Sequence, residues 1–564
     1  MSHPFLPARP GHWRASALAA AALLGSPLAW GICINNTSHA QAPAAGDVCT
    51  AWFSSYTNHA NTLLADMGGK LTVNGDVSFT PGSVLASGAS IVNSRRAGSQ
   101  ITVTGNLTMQ QWGDTGSFGL MALSGGEISV AGTTNVTLDS YGGGLDRSAV
   151  YARDANSKIQ LGGAVTIDGT DAGRPKGLES GNGGTITYPS ATLNFTGQDG
   201  AIGIYQTGPA GDVVGSGDTA ITLQGNGSTG VYADNGPIHI NGKLTVNSDS
   251  SIALNTDSAA GQITIGAASQ ISATAGGTAV RIEGGHATPL VAGAGLTIAL
   301  PATSGTAFHT INTAAASTTL AGATVTAQTL WSAIGSDYTF TAQGGTYTGK
   351  SSGNQHFSLN LGNAAIWNLN ADSALGKMEL SGNAVLRPDQ SRTLTASDAA
   401  GVKNTGGIID LKDATPATGD VLTIAGNYAG GGKLKLDVNL ASGGNHAIGL
   451  DADALKVNGN VTGSTEIEFT QLPGTAVATT GNGILIAEIS GTSSANAFRL
   501  PSPVISGGFQ YTLHQVGNRW YLQSSPYTGA NVASVPTLSH LGLLLTGGLL
   551  AGAAARARRR QKKA

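Results

Sequence analysis

The chain has 564 residues, of which 83 are glycine and 11% are charged. This composition is too apolar and too regularly patterned for disorder, and it has no long helix-forming runs of Glu, Lys and Leu. The formal net charge of −3 comes from 29 basic and 32 acidic residues. The ends, 1–40 and 526–564, hold two and six basic residues and no acid, which leaves 21 basic against 32 acidic residues and a charge near −11 in between. Such an acidic body argues against nucleic acid as a partner.

Residues 1–40 have the layout of a secretory signal peptide. Arg9 and Arg14 precede an apolar run, Ala15–Leu24, that is too short to span a bilayer of about 30 Å. Ala40 and Ala42 supply the small residues of an A-x-A-like cleavage region. We therefore expect export through the Sec translocon and cleavage by signal peptidase near these two alanines.

The next segment, 41–70, is assigned to an N-terminal cap. The apolar spacing in Ala51–Gly69 predicts that part of this cap is helical. Cleavage near residue 40 would remove Cys33 and leave Cys49 alone, so the sequence predicts no structural disulfide in the mature chain. A metal site from the same two cysteines is not expected.

The segment 71–418 is built from repeats. Thr229–Asp249 contains three apolar alternations, Val231/Ala233, Ile238/Ile240 and Leu244/Val246, which are separated by turn-forming residues. The first alternation recurs every 23–30 residues, at Leu120, Val150, Leu178, Ile204, Leu254 and Val280. Three short strands cannot bury their apolar side alone, so each unit needs copies above and below. The pattern predicts a right-handed parallel β-helix, since propeller blades are longer, at about 40–50 residues, and a sandwich does not repeat.

Several aromatic residues in these repeats are expected to be structural. From about residue 300 the repeat is less regular, but strand alternation continues around Trp331 and Trp367. We expect both rings to fill the core rather than to bind a ligand. Tyr232 and His239 are expected at ordinary outward or stacking positions.

The segment 419–525 is the most specific part of the body. It contains, in this order, GDVLTIAGNYAGGGKLKLDVNL, DADALKVNGNVTGSTEIEF, GNGILIAEISGTSSANAFRL and GGFQYTLHQVGNRWYLQSS. These phrases resemble the end of the passenger in pertactin-type autotransporters, and the upstream repeats are similar in style. The resemblance implies a region that closes the β-helix and assists its folding during secretion. In that family a membrane β-barrel follows, whereas only 39 residues follow Ser525, so we expect a passenger-like chain that lacks the barrel.

The residues of this region suit a cap on physical grounds as well. Its strands keep the alternation of apolar and polar residues, for example at Leu434 and Leu436. Tyr511 and Trp520 are large enough to cover the exposed last coil, where smaller side chains would leave it wet. We expect both aromatic residues to be buried there.

The tail consists of a linker, 526–533, and a candidate sorting signal, 534–564. Its motif and its basic cluster comprise Val535, Pro536, Thr537, Leu538, Ser539 and Gly542, then Arg556, Arg558, Arg559, Arg560, Lys562 and Lys563. The layout resembles the IPTL-CTERM sorting signal of Gram-negative bacteria, which implies an exosortase-type enzyme as a partner, although His540 and Leu541 replace the usual acidic and Trp residues. As a helix, the apolar segment 541–555 covers about 22 Å and forms a marginal membrane span, with the basic cluster kept in the cytoplasm.

No catalytic, cofactor-binding or metal-binding residue is predicted. The 11 histidines are scattered, without an H-E-x-x-H motif or a Cys/His cluster. Gly113–Ser117 resembles the nucleophile loop of secreted serine proteases, but Thr115 stands in the place of the nucleophile. Carboxylate pairs between stacked coils cannot be named from the sequence alone.

These features predict a non-enzymatic, adhesin-like or structural rod at the cell surface or in secreted form, sorted or anchored through its tail. Outward turns such as Gly142–Asp146 and Asp171–Lys176 are expected to contact a host or matrix ligand. The alternative is a β-helical enzyme that acts on envelope or matrix polysaccharide. Clustered carboxylates in a groove would favour the enzyme, and a face of Thr, Ser and Asn would favour the adhesin. A third hypothesis is a passenger-like remnant with no binding role.

Overall fold

The computed structural model shows an all-β chain with no helix among the residues that it describes. These residues are 33–528, except 36–38, 52–54, 58–59, 81, 83, 114–115, 141–146, 170–172, 198, 313 and 336. Successive strands stack in parallel into a β-solenoid, which confirms the predicted parallel β-helix.

The strands are numbered in chain order. The first coils contain β1 (Ile34–Asn35), β2 (Ala40–Ala42), β3 (Val48–Ala51), β4 (Ser55–Thr57), β5 (Leu63–Asp66), β6 (Lys70–Val73), β7 (Val77–Thr80), β8 (Ser90–Arg95), β9 (Gln100–Val103), β10 (Leu107–Gly113), β11 (Phe118–Leu123), β12 (Glu127–Val130) and β13 (Thr134–Ser140). The middle coils contain β14 (Arg147–Arg153), β15 (Lys158–Leu161), β16 (Val165–Gly169), β17 (Pro175–Gly181), β18 (Thr185–Tyr188), β19 (Ala191–Thr196), β20 (Ile202–Gln206), β21 (Asp212–Gly215), β22 (Thr219–Gln224), β23 (Thr229–Ala233), β24 (Pro237–Ile240), β25 (Leu244–Ser248), β26 (Ile252–Thr256), β27 (Gln262–Ile265), β28 (Gln270–Ala273), β29 (Thr278–Ile282), β30 (Leu290–Ala292) and β31 (Thr297–Ala299).

The later coils contain β32 (Thr306–Ile311), β33 (Ala316–Ile334), β34 (Tyr338–Ser352), β35 (Phe357–Gly362), β36 (Ile366–Leu369), β37 (Ser373–Leu375), β38 (Lys377–Leu380), β39 (Val385–Pro388), β40 (Arg392–Ala396), β41 (Val402–Asn404) and β42 (Ile408–Asp410). The last strands are β43 (Val421–Ala425), β44 (Tyr428–Gly430), β45 (Lys433–Val438), β46 (Ala454–Val457), β47 (Val461–Gly463), β48 (Thr465–Gln471), β49 (Ile484–Ile489), β50 (Phe498–Arg499), β51 (Val504–Ser506), β52 (Phe509–Val516) and β53 (Arg519–Pro526).

Each of the first and middle coils gives one strand to each of three parallel ladders. The first ladder runs through β2, β5, β8, β11, β14, β17, β20, β23, β26, β29 and β32; the second through β3, β6, β9, β12, β15, β18, β21, β24, β27 and β30; the third through β4, β7, β10, β13, β16, β19, β22, β25, β28 and β31. The predicted apolar row of the first ladder is in register and buried, with Leu120, Val150, Leu178, Ile204, Val231, Leu254 and Val280 paired one above the next. Full burial of one such side chain contributes about 1.5–3 kcal/mol.

The less regular segment after residue 300 has a structural cause. β33 extends over 19 residues without a turn and pairs with both β31 and β32, so one strand serves more than one ladder. Trp331 and Trp367 are buried there with their ring centroids 5.3 Å apart, and the Trp367 Nε1 atom donates a hydrogen bond of 2.8 Å to the Gly349 carbonyl. Their predicted role as core residues is confirmed.

The N-terminal end departs from the prediction in two ways. The expected helix in Ala51–Gly69 is wrong, since this range holds β4 and β5, whose Tyr56 and Leu63 are buried in the first coils. The full chain also contains a disulfide, which the sequence did not lead us to expect. Because β1 folds back on β2, Cys33 lies beside Cys49 of β3, and the two form a disulfide with Cα atoms 5.5 Å apart.

The C-terminal end is closed by antiparallel strands. β49 pairs in parallel with β46 on one side and antiparallel with β53 on the other, and β51, β52 and β53 form a meander over the last coil. Trp520 and Tyr511 are buried as predicted; the Trp520 ring packs at 5.5 Å from Phe498, and the Tyr511 hydroxyl donates to the Val477 carbonyl at 2.6 Å. These aromatic rings cover the end of the core.

Candidate functional site

One outward row of the first ladder carries aromatic and charged side chains. Each residue of the row follows a buried core residue of its strand, so it points away from the core. The row contains Tyr151, Glu179, Tyr205, Tyr232, Asn255, Arg281 and His309, which pair one above the next. We call this row, with the acids that flank it at Asp234, Asp257 and Glu283, the tyrosine face.

Tyr205 and Tyr232 lie against each other because the parallel ladder sets them one coil apart, at about 4.8 Å. Their ring centroids are 5.0 Å apart and the two rings are tilted by 30°. The Tyr151 ring packs instead on Phe118, which pairs with Ser148 and lies outside the row, at 4.7 Å. Lys176 lies over the Tyr205 ring at 5.0 Å and forms an ion pair of 3.1 Å with Glu179. Tyr232 is therefore an outward stacking residue, as predicted.

A row of acids runs beside the tyrosines. Asp234, Asp257 and Glu283 each follow the last residue of β23, β26 and β29. The Tyr232 hydroxyl donates a hydrogen bond of 2.9 Å to Asp257 Oδ2. Partial burial and the neighbouring Asp257 charge both raise the pKa of Asp234, and burial and the same carboxylate raise the pKa of the Tyr232 hydroxyl. The face thus combines aromatic rings with hydrogen-bond acceptors of negative charge.

A cleft of about 460 Å³ opens beside Tyr205 of this face. It is lined by Arg174, Lys176, Asp199, Ile202, Tyr205 and Asn226, which come from three successive coils. The Asn226 amide donates to Asp199 Oδ1 at 2.8 Å, which fixes one wall of the cleft. Part of the predicted recognition turn Asp171–Lys176 lines this cleft, whereas 171–172 lie outside the described residues.

Of the other sequence-predicted site residues, only the two alanines of the expected cleavage region lie in the described part of the chain. Ala40 and Ala42 are buried in β2. Thr115, the turn Gly142–Asp146, the sorting motif and the basic cluster all lie outside the described residues, as does the segment 541–555. No helix of the described part is long and apolar enough to cross a membrane.

A second cleft, of about 450 Å³, holds a His–Asp pair. The Nδ1 atom of His356 lies 2.8 Å from Asp337 Oδ1, and Ser317, Ser358 and Lys377 line the same cleft. The other ring nitrogen, Nε2, contacts Gln355 at 3.1 Å, and the His356 and Asp337 side chains are 49% and 67% exposed. A catalytic triad needs a hydroxyl on that nitrogen and a shielded carboxylate, and no such hydroxyl bond occurs among the described residues. Within the same ranges, no group of His, Cys, Asp and Glu could hold a metal ion.

The closing region, residues 419–525, contains buried carboxylates that the sequence did not reveal. Asp453 is buried and accepts hydrogen bonds from the backbone amides of Gly419, Asp420 and Asp437, at 3.1, 3.1 and 2.8 Å. Asp437 is buried as well, and its Oδ2 atom accepts from the Asp413 amide at 3.1 Å. Burial raises the pKa of Asp453 to about 7 against the opposing effect of the amide donors. These bonds hold the turn at 413–420 against the closing region.

Two segments match known families. Residues 397–513 match the family described as Autochaperone Domain Type 1, and residues 533–560 match the IPTL-CTERM motif. Both segments overlap those that resemble an autotransporter passenger and a sorting signal, so the similarity to a pertactin-type passenger with an IPTL-CTERM-like tail is confirmed.

The similar proteins are autotransporter-like over short alignments. The chain is 34% identical over 131 residues to the "Probable autotransporter YfaL" of Escherichia coli (strain K12), which covers 22% of this chain and 10% of that protein. It is 34% identical over 122 residues to the "Uncharacterized protein YdeU" of the same strain, which covers 21% of this chain and 25% of that protein. The chain thus spans a tenth and a quarter of the length of these two relatives.

Among solved structures, the Haemophilus influenzae Hap adhesin is similar over 86% of this chain and 64% of its own. The identity is 11% and the TM-score is 0.28, a value too low to support any argument from shape. The sequence matches by themselves support an autotransporter-like passenger that is exported to the envelope or cell surface.

Proposed function

We propose that the protein is a non-enzymatic, adhesin-like rod that binds a neutral, hydroxyl-rich polymer such as a glycan chain along its tyrosine face. The observation that carries this proposal is the register of Tyr205 and Tyr232 with the acids beside them. The rings offer apolar surface and hydroxyl groups, and carboxylates accept hydrogen bonds from ligand hydroxyls. Because Asp234 and Asp257 would repel anions, the preferred polymer is uncharged.

Rigidity is the second argument for binding. The tyrosines are on strands whose backbones are hydrogen-bonded above and below, so the array is ordered before a ligand arrives. A preorganised surface loses less conformational entropy on binding than mobile loops do. A repeating polymer can contact several coils at once, which adds weak contacts into useful affinity.

The test is binding of the exported full-length protein to immobilised neutral polysaccharides and to matched uronic acid polymers. Tyr205→Ala and Tyr232→Ala together should weaken binding to the neutral polymers at least tenfold, which corresponds to about 1.4 kcal/mol. His239→Ala on the second ladder is the matched control, since its ring is 34% exposed and faces another side of the rod. Equal binding by both variants, or binding to no neutral polymer, would contradict the proposal.

One observation favours the rival enzyme. Asp234 and Asp257 lie on adjacent coils, and burial together with the nearby Asp257 raises the pKa of Asp234, which is the direction that a general acid requires. If the face is catalytic, incubation with the bound polysaccharide should release reducing ends, and Asp234→Asn should stop the release while binding persists. Binding without any release supports the adhesin.

The tail is proposed to sort the protein through an exosortase-type enzyme after export by the Sec translocon and signal peptidase. The match of 533–560 to the IPTL-CTERM motif supports this role. Host cells are fractionated with the full chain and with a chain that lacks 534–564. The two forms should occur in different fractions, and a shared fraction would contradict the sorting role.

A further inference from the structure

We propose that signal peptidase cleaves the exported chain between Gly31 and Ile32, so that the mature protein keeps Cys33 and the strands β1 and β2. This site lies upstream of the one expected at Ala40 and Ala42. The inference is independent of the proposed function, because it concerns how the first coil is built and not what the rod binds.

The first argument is the place of β1. It runs antiparallel to β2, with Ile34 opposite Gln41 and Asn35 opposite Ala40. The Asn35 Nδ2 atom also donates a hydrogen bond of 3.0 Å to the Thr50 carbonyl. β1 thereby covers the outer edge of β2, which is the first strand of the first ladder. An uncovered edge at this end would offer unpaired backbone groups to other chains.

The second argument is the place of the two alanines. Ala40 and Ala42 pair with Leu63 and Ala65 of β5, and all four are completely buried. The Ala40 amide donates to the Thr62 carbonyl at 2.8 Å. Cleavage after Ala42 would remove β1 and β2 entirely and leave the hydrogen-bonding edge of β5 without its partner strand. The small residues at 40 and 42 are therefore explained by close packing in the first coil.

The third argument is the disulfide between Cys33 and Cys49. Cleavage after Ala40 or Ala42 would leave Cys49 as a single thiol in an exported chain, whereas cleavage after Gly31 keeps both partners. Disulfides persist in the oxidising compartments outside the cytoplasm, which agrees with export.

The leader itself offers a suitable bond at this position. Ala29 and Gly31 are small residues with one residue, Trp30, between them, as an A-x-A-like site requires. The bond follows soon after the apolar run that ends at Leu24, and it gives a leader close to the usual length of about 15–30 residues. The reaction is amide hydrolysis: water adds its hydroxyl group to the Gly31 carbonyl carbon, the C–N bond breaks, and the Ile32 nitrogen takes the proton.

The test is N-terminal sequencing of the mature protein after expression of the full chain in an exporting Gram-negative host. This readout does not depend on any processing of the tail. The expected main product begins at Ile32. A main product that begins at Gln41 or Pro43, or a chain that keeps its leader, would overturn the proposal.

Three variants sharpen the test under denaturing conditions, where misfolding does not affect the readout. Gly31→Trp should make the unprocessed precursor accumulate at least tenfold, whereas Ala42→Trp should be processed like the wild type; the reverse result overturns the proposal. In the mature wild-type protein, Cys49 should resist alkylation until it is reduced, and Cys33→Ser should make it reactive without reduction. A Cys49 that is already reactive in the wild type contradicts the retained disulfide.

Discussion

The middle coils and the closing region are built on different principles. In the middle coils, between β14 and β29, small aliphatic residues stack on their counterparts, and every strand pairs in parallel above and below. In the closing region, Trp520 and Tyr511 cover the core, β53 runs antiparallel to β49, and Asp437 and Asp453 are buried. The parallel stacking of the middle coils can accept one more coil at any point. The antiparallel strands and the aromatic cap of the closing region leave no place for a further coil.

The two regions should differ in how far their stability depends on neighbouring coils. Each middle coil contacts only its neighbours, so its stability depends on an adjacent coil that is already in place. The closing region has hydrogen bonds of its own, such as those from the amides of Gly419 and Asp420 to Asp453. We therefore expect the closing region to be the more stable of the two.

Removal of the largest cap side chain should have the largest effect. Trp520→Ala should destabilise the closing region by about 3–5 kcal/mol, because removal of the buried ring leaves a cavity over the last coil. Hydrogen exchange should then lose protection in β46 and β49 while the middle coils keep theirs. Tyr527→Ala is the control, since Tyr527 is 44% exposed. Equal loss of protection in both regions would show that they are not separate units.

The buried Asp453 should make the stability of the closing region depend on pH. Its pKa is about 7 in the folded chain, above the ordinary 3.8, so the folded state binds the proton more tightly. The free energy of unfolding should therefore fall as pH rises from about 4 to 7, by at most about 4 kcal/mol at 1.4 kcal/mol per pKa unit. Burial also raises the pKa of Asp420, which acts in the same direction.

Thermal melts at pH 5 and pH 8 test this dependence. Asp453→Asn should flatten much of the difference between the two pH values, although it costs stability at both because one amide donor loses its acceptor. A wild-type melt that is higher at pH 8 than at pH 5 would contradict the assignment.

In the middle coils, a single added methyl group should lower the stability of the fold. A Cβ atom on Gly169 would lie 2.7 Å from the ring of Phe195, which pairs with it in the next coil. Gly169→Ala should therefore cost about 1–3 kcal/mol through overpacking. A double variant with Phe195→Leu should recover part of this loss, and the absence of any recovery would mean that the two residues do not share the space.

The smallest effect is expected on the tyrosine face. Tyr232→Phe removes the hydrogen bond to Asp257 but keeps the ring in its stack, so the cost should be about 0.5–1.5 kcal/mol. Stability measured by denaturant unfolding should change by no more than this. A larger loss would mean that the face is a structural element rather than a displayed surface.

Much of the fold was predictable because a solenoid repeats its pattern. Val231 and its counterparts recur with turn formers between them, and this spacing alone indicates parallel stacking. Trp520 and Tyr511 were recognisable as cap residues because they are large and follow the last stretch of alternating apolar and polar residues. Side chains of that size at that place can cover the last coil. These signals are local, and each can be read from a short stretch of the chain.

The candidate site was not predictable to the same degree, because it depends on register between coils. Tyr205 and Tyr232 are 27 positions apart in the sequence, and Asp257 is 25 beyond Tyr232. Uneven turn lengths decide which of these side chains meet, and no local pattern fixes those lengths. The pairing of Cys33 with Cys49 was missed for another reason: cleavage near residue 40 was expected to remove Cys33, and no local pattern shows that β1 folds back on β2.

The long strand β33 has a consequence for the durability of a rod outside the cell. Proteases cut where an exposed chain can leave its neighbours and enter an active site, which is usually at a loop. From Ala316 to Ile334 the backbone runs around its coil as one strand and is paired with β34 along most of its length. A surface protease therefore meets no loop along this stretch, and limited digestion should leave it as an intact central fragment after the turns of the other coils are nicked.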